Sequence, residues 1–134
     1  MKKVALIVNT ASFERVAYAL SFAVVAAARG IEVFVLFAFE GLYRLIKGNV
    51  DVLSDETNPF IRKEIESGLK KDSVMRISTL IKNLKYLGGK IYACPSAMAL
   101  HNVTKDDLID DVDGVLGLAA FLESIGDAST IIYV

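Results

Sequence analysis

The first forty residues confine this chain to a narrow set of folds. Val4 to Val8 is an unbroken apolar run closed by Asn9-Thr10-Ala11-Ser12. Phe13 to Ala28 then places apolar residues at Phe13, Val16, Ala17, Leu20, Val24 and Ala27, a helical spacing. Arg29-Gly30 ends that stretch, and Glu32 to Phe37 returns to the β-branched and aromatic residues of a strand. Strand, helix and strand joined by short links specify a right-handed βαβ unit, with parallel strands apolar on both faces.

The rest of the chain repeats the theme around one departure from it. Leu42 to Ile46 reads as a short helix. Lys47 to Asp72 holds eleven of the thirty-one charged residues and one of the two prolines. Asn58-Pro59 opens a helix expected over Pro59 to Leu69. The polar stretch Gly48 to Thr57 reads as a solvated excursion, or alternatively as a mobile cover over a site. A helix from Asp72 or Ser73 carries Met75, Ile77, Leu80, Ile81, Leu84 and Leu87 and stops at Gly88-Gly89. Lys90 to Cys94 is a third strand, a further helix is expected near Leu116 to Glu123, and Thr130 to Val134 is a terminal strand. Thr104-Lys105-Asp106-Asp107 reads as a capping box with Asp at its last position. Four strands, with a possible fifth at Val50 to Leu53, predict a single three-layer α/β/α domain over residues 1–134 with a mainly parallel sheet.

The helical segment Phe13 to Ala28 is apolar nearly all round, and so needs cover on more than one face. Hydrophobic residues make up 54% of the chain and mean hydropathy is +0.47. Buried strands or apolar surface shared between subunits would each account for this. Val16 to Phe39 has about the length of a membrane span, yet Arg29, Gly30 and Glu32 divide it, so a soluble reading is preferred and peripheral membrane contact is a lesser one. Fifteen basic against sixteen acidic residues leave a net charge of −1, without the basic surplus of a nucleic-acid binder. A single cysteine forms no internal disulfide, and the N-terminus shows no leader cleavage site, which together point to the cytoplasm.

That cysteine, Cys94, is the leading candidate for chemistry. It lies where a strand hands over to a helix, with Pro95 in the favoured first helical position. The carboxyl edge of an open parallel sheet is where sites form, and a helix start favours the thiolate there. The ordinary alternative is a buried structural thiol. Residue 97 is Ala, so there is no C-x-x-C pair, and residue 100 is Leu, so there is no C-x5-R phosphate loop. His101, the only histidine, stands seven residues on, either near the thiol or in an exposed loop. Asn9, Thr10, Ser12, Glu40, Gly41, Pro95, Ser96 and Met98 fall at the same sheet edge as possible lining. For Ser12 capping is the simpler role, and for Glu40 solvation. The carboxylates of Asp106, Asp107, Asp110, Asp111 and Asp113 lack EF-hand spacing, and no Walker or G-x-G-x-x-G sequence occurs, so no metal or cofactor is expected.

Leu87-Gly88-Gly89-Lys90-Ile91-Tyr92-Ala93-Cys94, Ser96-Ala97-Met98, Asp106-Asp107-Leu108-Ile109, Gly117 to Leu122 and Ile131 to Val134 together resemble the DsrE/DsrF-like family of small sulfur-relay proteins. Ser12 to Leu42 is similar in a more generic way. The resemblance implies an α/β/α fold, assembly as a homo-oligomer (trimer or hexamer), and sulfur held as a persulfide on Cys94 and passed between donor and acceptor proteins. His101-Asn102 departs from the glycine-containing turn common in relatives. A non-enzymatic binding or assembly subunit with an inert Cys94 is the alternative.

Overall fold

In a computed structural model, residues 2–128 and 130–134 are described. The strands are β1 (Lys3–Val8), β2 (Glu32–Phe37), β3 (Lys90–Ala93), β4 (Gly114–Val115) and β5 (Thr130–Tyr133). The helices are α1 (Phe13–Ala28), α2 (Arg62–Lys70), α3 (Ile77–Tyr86), α4 (Pro95–His101) and α5 (Leu118–Ile125), with 3-10 segments at Phe39–Leu45 and Lys105–Asp107. All strand pairs are parallel, in the order β4-β3-β2-β1-β5.

Alternation along the strands divides the core into two layers. Val4, Leu6, Val8, Val33, Val35, Phe37, Ile91 and Ala93 face α1 and α3, where Val16, Leu20, Leu80, Ile81 and Leu84 cover them. Ala5 and Leu36 face the other way, onto Phe121 and Ile125 of α5. This is the three-layer α/β/α arrangement, with α5 alone forming the third layer against these residues.

Several elements begin later than sequence spacing predicts. The Asn58 side chain accepts from Phe60 N–H at 2.9 Å, a local turn that delays α2 to Arg62. Helix α3 starts at Ile77 because Arg76 is extended and Asp72 is left-handed, with φ of 58°; Met75 stays exposed. The fifth strand is β4, not Val50 to Leu53. The carbonyls of Asn49, Val50 and Val52 instead turn onto one buried cation, Arg44, and so are not presented to a neighbouring strand.

The excursion over 47–72 is likewise not a loose surface loop. Ser54 and Thr57 are buried, and this segment closes over the turn between β1 and α1. Register places the site: Val8 is level with Phe37, and Phe37 with Ala93. Asn9, Ala38 and Cys94 therefore leave the sheet at one height along its carboxyl edge.

Candidate functional site

Cys94 is held by its backbone on both sides. Its N–H donates to Phe37 O at 3.0 Å, and its carbonyl accepts the first helical bond of α4 from Met98 N–H, also at 3.0 Å. It is the N-cap residue, with Pro95 first in the helix and no capping bond from its own side chain. The thiol is half-buried and packs against both core layers. On its far side Leu116 N–H donates to Ala93 O at 3.0 Å. This continues the ladder past β4 and brings Gly117, the residue before α5, within 4.0 Å of the Pro95 ring for a built Cβ. The starts of α4 and α5 thus meet beside Cys94. Pro95 and Ser96 are exposed next to it, while Met98 is turned into the core.

The other sequence-selected residues fall into separate groups. Asn9 lies across β2 from Cys94, about 10 Å away by strand spacing, and its side-chain amide donates to the Tyr133 hydroxyl. Thr10 and Ser12 are buried. Ser12 caps α1 by accepting from Arg15 N–H at 3.4 Å. Thr10 accepts from Ser12 N–H and donates to Glu56, both at 3.0 Å. Gly41 is structural: a Cβ there would stand 2.2 Å from Val8 O.

Glu40 and His101 come together. His101 Nε2 lies 3.0 Å from Phe39 O and 3.8 Å from Glu40 Oε1, so its polar contacts tie the end of α4 to the turn after β2. Phe39 has a φ of 44°, a conformation unusual for a bulky residue that this contact helps to hold.

Sequence reasoning missed the residue that organises the edge, Arg44. It has no exposed surface, and burial pushes its guanidinium below the ordinary value, opposed by Tyr43, Asp51, Glu14 and Glu56. It binds backbone carbonyls of Ala11, Asn49, Val50 and Val52 and lies over the rings of Phe13 and Tyr43. Glu56, also missed, accepts from Ala11 N–H at 3.0 Å, and Thr57 from Phe13 N–H at 3.4 Å. The excursion therefore fills the start of α1 with its own groups. One charged residue inside the apolar run Leu42 to Ile46 was the available signal for Arg44.

Three carboxylates of the acidic run are taken up in structural work. Asp107 completes the capping box with Thr104, Asp111 pairs with Lys82 at 3.2 Å, and Asp113 receives Lys85 and Ile91 N–H. Beside the site, Tyr92 stacks edge-on with Phe121 at 6.4 Å. Burial first, and Asp113 second, raise its phenol above the ordinary value. Among the described residues no helix is long and apolar enough to cross a membrane.

A parallel three-layer α/β domain with a half-buried cysteine at the carboxyl end of its third strand defines the class. The sequence matches the DsrE/DsrF/DrsH-like family over residues 54–133, and the chain belongs to that family. The match takes in most of the excursion, from Ser54 on, as well as Cys94. No curated protein matches the sequence. Among solved structures, the ychN protein from E. coli is similar with a TM-score of 0.71 at 12% identity. A protein of unknown function from Methanobacterium thermoautotrophicum, MTH1491, is similar with a TM-score of 0.62 at 16% identity. Both comparisons cover 100% of each chain, and both speak to the fold.

Proposed function

We propose that this protein is a sulfur carrier whose working group is the Cys94 thiol. Membership of the DsrE/DsrF/DrsH-like family supports a role in sulfur relay at the family level. The observation that carries the finer reading is the placement of Cys94: half-buried at the carboxyl edge of the sheet, where the starts of α4 and α5 meet. The Cys94 thiolate attacks a sulfane sulfur, the donor's S–S bond breaks, and the donor leaves as a thiolate or sulfite. Cys94 then holds the sulfur as a persulfide. An acceptor thiolate attacks that outer sulfur and Cys94 leaves as the thiolate, so the exchange needs no cofactor. With one cysteine in the chain, the acceptor is another molecule or another copy, and the reducing cytoplasm suits such a thiol.

Intact-mass spectrometry after incubation with polysulfide, thiosulfate or tetrathionate tests this. The expected result is a DTT-reversible gain of about 32 Da per sulfur, or of a thiosulfonate, absent in Cys94→Ser. A thiol that stays unmodified with every donor, yet alkylates readily once denatured, would replace this reading with that of a binding or assembly subunit.

A further inference from the structure

Phe39 stands where the backbone asks for a different residue. Ala38 to Gly41 is a turn closed by Gly41 N–H donating to Ala38 O at 2.8 Å. Phe39 is its first central residue, with a φ of 44°. Glycine, asparagine and aspartate take a positive φ at that position readily, whereas a bulky side chain there costs stability. Burial does not offset the cost. Phe39 is 62% exposed, belongs to neither core layer, and among the described residues its ring joins no aromatic pair and no cation. What the residue has is its position. Phe37 pairs with Ala93, so Ala38 is level with Cys94 on the adjacent strand, about 4.8 Å across, and Phe39 follows it. His101 Nε2 lies 3.0 Å from Phe39 O, which ties this turn to the far end of the helix that Cys94 begins. Leu100, the residue before that histidine, is 61% exposed. Pro95 to Leu100 carry no charge, and the carboxylate of Glu40, next after Phe39, is engaged with His101 at 3.8 Å.

We propose that Phe39 is a specificity-determining residue: with Leu100 it forms an apolar shoulder beside Cys94 that receives a projecting, apolar-flanked cysteine of another protein. This rests on Cys94 being the working thiol. The chemistry of exchange selects the occupant. Sulfur passes only when the partner's sulfur reaches that of Cys94, so the chain carrying it crosses the positions next to Cys94. A small polysulfide need not touch them. A second copy of this chain offers only a thiol as half-buried as the first, on backbone bonded at both ends. The partner's cysteine therefore projects, on an extended or loop segment of a different protein. At about 3.3 Å per residue, such a segment brings a side chain within two residues of its cysteine over Phe39. That side chain is apolar, because with Glu40 turned to His101 the shoulder attracts by removing apolar surface from water. The strained turn is thus kept for recognition, and relieving it relaxes the fold while weakening the encounter.

Two blocked peptides test this, one with leucine on either side of its cysteine and one with serine there, each supplied as the mixed disulfide with thionitrobenzoate. The Cys94 thiolate attacks the peptide sulfur, the S–S bond breaks, and thionitrobenzoate leaves with the electron pair as a coloured thiolate. Each rate is divided by that of glutathione with the same peptide. The wild type should favour the leucine peptide by roughly tenfold, the scale of a largely buried leucine. Phe39→Asn, whose side chain suits a positive φ, should lose that preference while its rate with the serine peptide stays within about twofold of wild type. Its urea midpoint should equal or exceed that of the wild type, and Phe39→Gly should behave alike. Phe39→Leu should keep the preference. Equal rates with the two peptides in the wild type, or a preference that survives in Phe39→Asn, would overturn the proposal. So would a lowered midpoint in both Phe39→Asn and Phe39→Gly, since the ring would then serve packing. Sulfur loading is read separately by mass: a Cys94 that takes sulfur from polysulfide yet shows no peptide preference sinks this inference alone, and one that reacts with neither sinks both.

Discussion

Arg44 holds the carbonyl oxygen of Ala11 in a fork, donating to it from Nε at 3.1 Å and again from Nη2. Ser54 adds a third donor to the same oxygen at 2.7 Å. One carbonyl in the β1–α1 turn thus gathers three donors from two distant segments, and the remaining guanidinium nitrogen, Nη1, collects the carbonyls of the excursion. A buried cation satisfied only by backbone oxygens fixes backbone geometry rather than side-chain charge.

Arg44→Met should therefore destabilise the protein by about 3–5 kcal/mol, since it strands several buried carbonyls at once. Arg44→Lys should recover only part of this, because an ammonium cannot reproduce the planar fork. Urea unfolding of the three proteins measures both; a loss below 1 kcal/mol for Arg44→Met, on the order of a surface change, would contradict the assignment.

Gly41→Ala should cost about 2–3 kcal/mol through overpacking. The added methyl would stand 2.2 Å from Val8 O, and the obstacle is backbone at the end of a central strand. A wild-type denaturation midpoint in Gly41→Ala would show that the turn gives way more easily than its contacts imply.

His101→Ala should leave sulfur loading of Cys94 within about twofold of wild type, because its polar contacts are with Phe39 and Glu40. Its effect should fall on stability instead, at about 1 kcal/mol for the lost bond. A large fall in loading rate with unchanged stability would return the imidazole to the chemistry.

Tyr92 makes stability depend on alkaline pH. Its phenol is held above the ordinary 10.0 by burial and then by Asp113. Beyond about pH 10 the unfolded chain gives up this proton while the folded chain keeps it, so stability falls as pH rises. Below that pH the contribution is intact. Tyr92→Phe should flatten this limb: in thermal unfolding between pH 8 and 11, the difference between mutant and wild type should change only above pH 10. Parallel curves throughout would refute it.

The elements legible in the sequence were those where a single period ran unopposed. Phe13–Ala28 and Glu32–Phe37 fall on their expected boundaries, since helical or strand periodicity there met no competing signal. The two-residue β4 is too short to carry a period, and its pairing depends on β3 alone. Val50 to Leu53 looked strand-like in composition, but a buried Arg44 from another segment claimed its carbonyls. The site divides in the same way. The position of Cys94 followed from the end of one strand and one proline. Whether Thr10, Glu40 and His101 faced it depended on Glu56 and Phe39, contacts that no local pattern encodes.

The backbone of Cys94 is bonded to β2 through its N–H and to α4 through its carbonyl. A thiol mounted this way has only its side-chain rotation to spend. It is a berth rather than a swinging arm, so whatever docks there must do the travelling and must shape its own reach to a fixed point on the sheet edge.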